Sequence, residues 1–445
     1  MKGEAEMGIS RRKFLGASAS AVLVAGTMAK GKVFGANDRI GVAVIGIHGQ
    51  GNSHIKEFID AQKNEVDLIA LCDVDSDVLK QRVEEVRQKT GKKPKAYRDM
   101  RDLFENKKID AVSTATPNHW HTLVTVWACQ AGKDVYVEKP LSHDIWEGRQ
   151  LVAAAEKYGR MVQHGTQNRS NARLMRDIKL IQDGFIGKIV HSRGYVYKNG
   201  NRHAIGYGKP AQPPKNLDWE LWQGPAPERE YLAREDGSGL FVHYNWHWFW
   251  HYGNGEIGNQ GVHEMDVAVW GHNRGLPVKV YSSGGRYGWD DQGETPNTQA
   301  TVFTYADGSM VTFEVRNLGS FPEACEDACG NSFFGTEGYY VKNKGFFNYK
   351  NEPIPVEGDL AKEPESAGRI GNWLKAIRTR DPKYLTAPPL VGHISCVHCH
   401  LGNIAYRLGR SLQFDPVTES FKGDEEANRF LKREYRPGFE VPQLA

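Results

Sequence analysis

Residues 40–46, Ile40-Gly41-Val42-Ala43-Val44-Ile45-Gly46, run seven positions without a polar side chain. A strand with one wet face alternates polar and apolar residues. An unbroken run of this length therefore belongs to a strand covered on both faces, as in a parallel sheet sandwiched between helices. The run ends in the turn Gly46-Ile47-His48-Gly49-Gln50-Gly51, after which residues 53–63 follow helical periodicity. The same unit then recurs. Residues 66–72 form a second apolar strand ending in Asp73-Val74-Asp75, and residues 77–90 a charged amphipathic helix. Strands at 111–114, 135–137 and 161–163 alternate with helices at 121–131 and 145–158. Repeated βα units of this length predict an α/β fold whose N-terminal part, residues 37–165, is a Rossmann-type doubly wound parallel sheet.

Beyond Gly165 the pattern changes. Residues 190–197, 278–283, 299–305 and 310–315 alternate as half-buried strands, and Asp307-Gly308 is a hairpin signal between the last two. They predict a second, α+β domain over residues 166–392, built on a mostly antiparallel open sheet. Helical periodicity returns at 369–378 and 393–412. Residues 393–445 are expected to form a C-terminal helix and tail packing back on the chain, with the Pro-containing end from Tyr435 lying along the surface.

Residues 1–36 read differently. Ser10-Arg11-Arg12-Lys13-Phe14-Leu15 precedes a Gly/Ala/Val-rich stretch at 16–29, the pattern of a twin-arginine export signal followed by a linker. That stretch is too short and glycine-rich for a membrane span, so the mature protein is expected in the periplasm or outside the cell without one. Net charge is +3 with both signs interspersed, which argues against a nucleic-acid-binding stripe. Cys325 and Cys329 stand close enough in sequence to pair in an oxidising compartment. Cys396-Val397-His398-Cys399-His400 has metal-ligand residue types, but no second pair stands at a matching distance and the segment lies on an amphipathic helix. No metal site is expected.

The glycine turn carries chemistry. Between a strand and a helix, glycines let the backbone approach a pyrophosphate while the helix N-terminus offers free N–H groups. Asp73, at the end of the next strand, stands where a carboxylate accepts ribose hydroxyls, and with Asp75 it would repel a 2′-phosphate. The combination predicts a dinucleotide site for NAD rather than NADP.

Two further segments follow strands: Ala115-Thr116-Pro117-Asn118-His119-Trp120-His121 and Glu138-Lys139-Pro140. With the glycine turn and residues 255–266 they resemble the glucose–fructose oxidoreductase / inositol dehydrogenase (Gfo/Idh/MocA) family over most of the chain after the signal. The resemblance implies that Gly46, Gly49, Gln50 and Gly51 line the pyrophosphate and Asp73 holds the ribose. Thr116, Asn118 and His121 would border the nicotinamide half, Glu138 and Lys139 would lie under its ring, and Gln167 would touch the coenzyme. It also implies that Lys139 takes the proton of a substrate hydroxyl, with His263 assisting. The family's sugar and inositol dehydrogenases carry DxGxHxxD. His263 and Asp266 match that pattern, whereas Asn259 replaces the first Asp and can hydrogen-bond a hydroxyl but not carry its proton. Tyr197, His247, Asn259 and Asp266 are the expected substrate contacts.

Seven of the twelve residues 241–252 are aromatic and three are His, a composition suited either to a sugar-binding wall or to a packed core. His243, His247 and His251 recur every four residues, but with aromatics between them a packed or extended segment is expected rather than a metal-binding helix. An exported enzyme has no free NAD pool, and the twin-arginine route carries folded proteins, so the coenzyme is expected to travel bound. The chemistry must then restore it. Either a second sugar is reduced, or one glycoside is oxidised, undergoes elimination and hydration, and is reduced again. The family's NAD-dependent glycosidases have a His one residue beyond Asn259, where this chain has Gln260. A conventional sugar or polyol dehydrogenase and a non-catalytic, coenzyme-bearing sugar-binding protein are the alternatives. A small sugar or glycoside is the expected partner, and a homodimer or homotetramer the expected assembly.

Overall fold

A computed structural model describes residues 38–61, 65–198, 203–318 and 327–445. The export segment and Cys325 lie outside the described residues. Six parallel strands form the first sheet: β1 (Ile40–Ile45), β2 (Val66–Cys72), β3 (Lys95–Tyr97), β4 (Ala111–Thr114), β5 (Asp134–Val137) and β6 (Val162–His164), in the order β3-β2-β1-β4-β5-β6. All six residues of β1 are buried, as the unbroken apolar run requires. The strand order reverses between β1 and β4, the switch point outside which ligands of such sheets bind. The first helix, Gly49–Ala61, starts four residues earlier than the periodicity suggests. Its first turn contains two glycines, which add nothing to an apolar stripe and so hide the turn from a pattern reading.

The second sheet takes in β7 (His191–Val196), β10 (Lys279–Gly285), β11 (Thr298–Thr304), β12 (Met310–Arg316), β13 (Cys329–Phe334), β14 (Tyr339–Val341), β15 (Gly345–Phe347), β16 (Pro353–Ile354) and β17 (Leu412–Gln413). Its order is β16-β15-β14-β13-β7-β12-β11-β10-β17, antiparallel except for the β7–β12 pair. A two-stranded ribbon, β8 (Lys209–Pro210) with β9 (Leu232–Ala233), stands apart. One face of the large sheet packs on helices Gly261–His272 and Pro389–Leu408, so closely at Gly194 that a Cβ would stand 3.1 Å from Glu264 O of the former helix. The other face exposes Tyr281, Val302 and Met310.

Two details depart from the sequence reading. Helix Pro389–Leu408 starts earlier than expected, with Pro at its first position, and Gly409 ends it in the left-handed conformation (φ 65°) so that Leu412 joins β17. Helix Gly368–Thr379 lies within the stretch assigned to the second domain, yet it buries Ile370, Trp373, Leu374 and Ile377 against the first sheet. The tail is docked: Phe439 packs on Trp120 and Trp127, and the Leu444 N–H donates to Gln150 Oε1. Inside the long helix, Cys396 Sγ accepts the Leu141 N–H, His398 pairs with the Tyr305 hydroxyl and Cys399 Sγ faces Ile257 O, so these residues serve packing.

Candidate active site

At the switch point the glycine turn folds on itself. Gly46 has φ +75°, and a Cβ on Gly51 would stand 1.8 Å from Gly46 O, so neither position admits a side chain. Gly49 differs: a Cβ there meets nothing within 4 Å, leaving exposed backbone at a helix N-terminus. This bare cradle fits a pyrophosphate. Beside it Asp73 accepts the Ile47 N–H (2.8 Å) and the Asp75 N–H (2.9 Å), and burial pushes its carboxyl up to about 6. Asp75 caps helix Ser76–Thr90 through the Asp77 and Val78 N–H groups.

The second cluster sits where β5 ends. Glu138 is buried, and its Oε1 accepts from His54 Nε2 (3.0 Å), Gln50 Nε2 (3.1 Å) and Arg369 Nη1 (3.4 Å). Burial alone would raise its pKa. The His54 hydrogen bond and the charges of His54, Lys139 and Arg369 overcome that and hold the carboxyl far below the usual range. His54 is oriented in turn by Ser113 Oγ at 2.7 Å from Nδ1. Lys139 Nζ donates to both Asn259 O and Asn259 Oδ1, each at 3.2 Å, which brings together two residues 120 positions apart. His263, in the first turn of helix Gly261–His272, is buried, and burial followed by the Lys139 charge lowers its imidazole to about 3. Among the described residues, His263 Nδ1 has no hydrogen-bond partner, nor does Nε2 of buried His164 at the end of β6.

Other expected residues have different surroundings. His121 spends both ring nitrogens on main-chain carbonyls, Pro140 O (2.5 Å) and Thr116 O (2.8 Å), and so pins the Thr116 and Lys139 loops together. Thr116 Oγ1 meets Thr114 Oγ1, and Asn118 Nδ2 donates to Asn254 Oδ1 (3.1 Å). Gln167 is exposed just after β6. Asp266 is fully buried: Arg169 Nε reaches both its oxygens at 2.9 Å and Ser395 Oγ donates at 2.6 Å, so it ties the β6 loop to two helices. Tyr197 donates to Glu314 Oε2 (2.6 Å) beneath the Arg316 guanidinium, and burial with that bond pushes its hydroxyl to about 12. His247 stacks on Trp246 at 3.6 Å with Nδ1 on Tyr244 O.

The aromatic segment resolves into several roles. Phe241, Phe249 and Tyr252 pack with Trp222 in one core. Trp246, a member of the same core, and His243 also face the first domain, and with Gly46, His48, Asp73 and Pro117 they line the pocket beyond β1 and β2, where the adenosine end of a dinucleotide belongs. Residues 216–222, which pack in the same core as Phe241 and Trp246, are held on both sides of that pocket. On one side Ser76 N–H donates to Asn216 O (2.9 Å), Asp218 N–H to Val74 O (3.0 Å) and Asn216 Nδ2 to Asp75 Oδ1 (2.9 Å). On the other, Trp120 Nε1 donates to Leu221 O and Trp222 O (3.2 Å each), and His119 Nε2 lies 2.9 Å from Trp222 O. His243 stacks on His48 at 3.7 Å, and His48, Asp75 and His243 bring one ligand atom each within 4.8 Å of one another. Burial lowers both imidazoles, His243 to about 4.

His54 and Arg369 are absent from the sequence reading, and His48 and His243 are given no site role in it. His54 stands one helical turn beyond Gln50 and could have been proposed from that spacing. Arg369 carries no local signal.

Comparison with known proteins agrees with this geometry. Residues 40–166 match a family model described as "Oxidoreductase family, NAD-binding Rossmann fold", and residues 175–441 match its partner, "Oxidoreductase family, C-terminal alpha/beta domain", both of the GFO_IDH_MocA group. Two curated relatives, both named glycosyl hydrolase family 109 protein, come from Shewanella pealeana and Shewanella sp. strain ANA-3. Each is 28% identical, over 183 and 166 residues respectively, and the match spans 39% and 35% of either chain. It thus covers less than half the length of those relatives. Among solved structures, the WlbA dehydrogenase from Chromobacterium violaceum, in complex with NADH and UDP-GlcNAcA, superposes with a TM-score of 0.62 at 19% identity, covering 85% of this chain and 96% of that one. GenD2 from gentamicin A biosynthesis, in complex with NAD, gives 0.56 at 18% identity, covering 86% and 99%.

Proposed function

Because the chain belongs to the Gfo/Idh/MocA oxidoreductase family and carries its NAD-binding Rossmann domain, we propose that it is an exported enzyme that keeps its coenzyme and moves hydride to and from a ring carbinol of a sugar or glycoside. The observation that carries this reading is the clamp over the adenosine pocket. For a dinucleotide to leave, the hydrogen bonds of residues 216–222 to Val74, Asp75, Ser76 and Trp120 must open on at least one side. NAD, when bound, supplies a hydride acceptor and, once reduced, a donor.

The chain's own residues handle the proton. Asn259 holds Lys139 Nζ from two oxygens at the end of β5, the place for a base that receives a hydroxyl proton as its carbon is oxidised. Asn259 carries no proton, so its part is to aim the nitrogen. His263 stays neutral and offers a hydrogen-bonding nitrogen to a substrate hydroxyl. Glu138, ionised beneath, keeps negative charge next to Lys139. In a glycoside, a ketone on the ring acidifies the neighbouring C–H. The glycosidic group can then be expelled and water added before the ketone is reduced again. The family 109 names of the curated relatives support this redox-neutral form. The sheet face bearing Tyr281, Val302 and Met310 is the surface we assign to self-association.

The test is direct. Purified protein denatured in acid should release close to one NAD(H) per chain. Glycosides should be cleaved without added coenzyme, and Lys139→Met should abolish turnover while coenzyme content stays unchanged. Protein that contains no NAD(H), or that forms NADH steadily from added NAD and a polyol, overturns the retained-coenzyme reading.

A further inference from the structure

A second cavity, of about 550 Å³, opens where the loop after Lys139, residues 250–254, the second half of helix Pro389–Leu408 and tail residues 426–434 meet. Ligand sites typically span roughly 300–1,000 Å³. One wall is aromatic and cationic: Arg407 lies between Trp250 and Phe430, 5.0 and 4.4 Å from their ring centroids. Arg429 and Lys432 add exposed positive charge at the rim.

Of the three acids that line it, Glu434 is exposed at the rim and the other two are committed. Glu426 pairs with Arg410 (2.9 Å). Asp144 accepts the Glu147 and Arg433 N–H groups, and burial beside Glu147 pushes its carboxyl well up towards the neutral form. Arg433, whose side chain is only 10% exposed, is held by Glu147 through Nε and Nη2. Burial with the Arg433 charge keeps the His143 ring neutral. A cavity with surplus cations and an indole wall selects an anion attached to a ring with an apolar face.

We propose that this cavity binds an anionic saccharide unit, a sugar bearing a carboxylate or a sulfate, with its charge at Arg407 and Arg429 and its ring against Trp250. The saccharide half rests on the function proposed above; the anionic half rests on the cavity itself. The cavity is wired to the candidate active site, since Asn254 accepts from Asn118 and donates to His143 O (2.9 Å).

Calorimetric titration of the coenzyme-containing protein with cellobiose, cellobiouronic acid, cellobiose 6-sulfate and inorganic sulfate tests this. At least one charged disaccharide should bind ten times more tightly than both cellobiose and inorganic sulfate, with an advantage that shrinks as salt rises. Arg407→Gln should remove that advantage. Since Arg407 also packs between two rings, the exposed Arg429→Gln provides a variant free of that burden and should reduce the advantage several-fold at unchanged coenzyme content. Equal affinity for charged and neutral disaccharides, or charged binding untouched by both substitutions, overturns the proposal. Binding of inorganic sulfate alone marks an anion site and overturns the saccharide half. The function proposed above fails in another channel: the nicotinamide absorbance would not respond to any sugar even where charge-dependent binding persists.

Discussion

Alanine at Gly49 and alanine at Gly51 separate what the glycine turn does for the fold from what it does for the coenzyme. At Gly51 the new Cβ would stand 1.8 Å from Gly46 O and 2.8 Å from its carbonyl carbon, both backbone atoms of a tight turn that cannot rotate aside. Overpacking of this kind typically costs about 1–3 kcal/mol, so the coenzyme-free protein should melt earlier. At Gly49 the Cβ meets nothing within 4 Å, and the residue opens a helix. Alanine there gains part of the ~1 kcal/mol by which it exceeds glycine in helices, so the coenzyme-free protein should melt at the same temperature or higher. The bound state responds differently. A methyl group at Gly49 occupies the face a pyrophosphate must approach, and a loss of only about 1.4 kcal/mol weakens binding tenfold. Melting curves of coenzyme-free protein, paired with NAD(H) released per chain on acid treatment, give the two readouts. The expected pattern is Gly49→Ala stable but coenzyme-poor, and Gly51→Ala both unstable and coenzyme-poor. Wild-type coenzyme content and affinity in Gly49→Ala would refute the placement of the pyrophosphate on this turn.

Two further outcomes follow from the same geometry, and a third from the sequence pattern of residues 10–15. With its carboxyl at about 6 instead of 3.8, Asp73 binds its proton more tightly in the coenzyme-free fold than in the unfolded chain. Its stabilising contribution is therefore full below pH 4 and lost as pH rises through 6, a difference on the order of 3 kcal/mol. Ribose hydroxyls need the ionised form, so NAD affinity should fall, by at most tenfold per unit, below pH 6. An Asp73→Asn protein should lose that dependence in the same titration. His54→Ala removes the 3.0 Å partner of buried Glu138 while Gln50 and Arg369 remain. A loss near 3 kcal/mol is expected in denaturant melts, and a change under 1 kcal/mol would mean that Glu138 does not depend on His54. Replacing Arg11 and Arg12 together by Lys should leave the protein in the cytoplasmic fraction on immunoblots; undiminished periplasmic protein would remove the twin-arginine assignment.

The sequence alone determined the architecture and the outline of the site. The unbroken apolar run at 40–46 required a strand buried on both sides, and the recurring βα units required the parallel sheet. The glycine turn, Asp73 and Glu138-Lys139-Pro140 marked the ends of its strands. Such features are local, because side-chain periodicity and turn chemistry report on a few consecutive residues. Tertiary structure decided the rest. Glu138 is held ionised by His54 and Arg369, 84 and 231 positions away. Lys139 is aimed by Asn259, 120 positions away. Asp266 and Tyr197, polar residues at plausible site positions, are spent on Arg169, Ser395 and Glu314, whereas His243 and Trp246 cross to the adenosine pocket of the other domain. Burial sets the cost of an unpaired polar group, and the nearest available partner meets it. Which partner is nearest depends on how distant segments pack, and no periodicity in the chain records that.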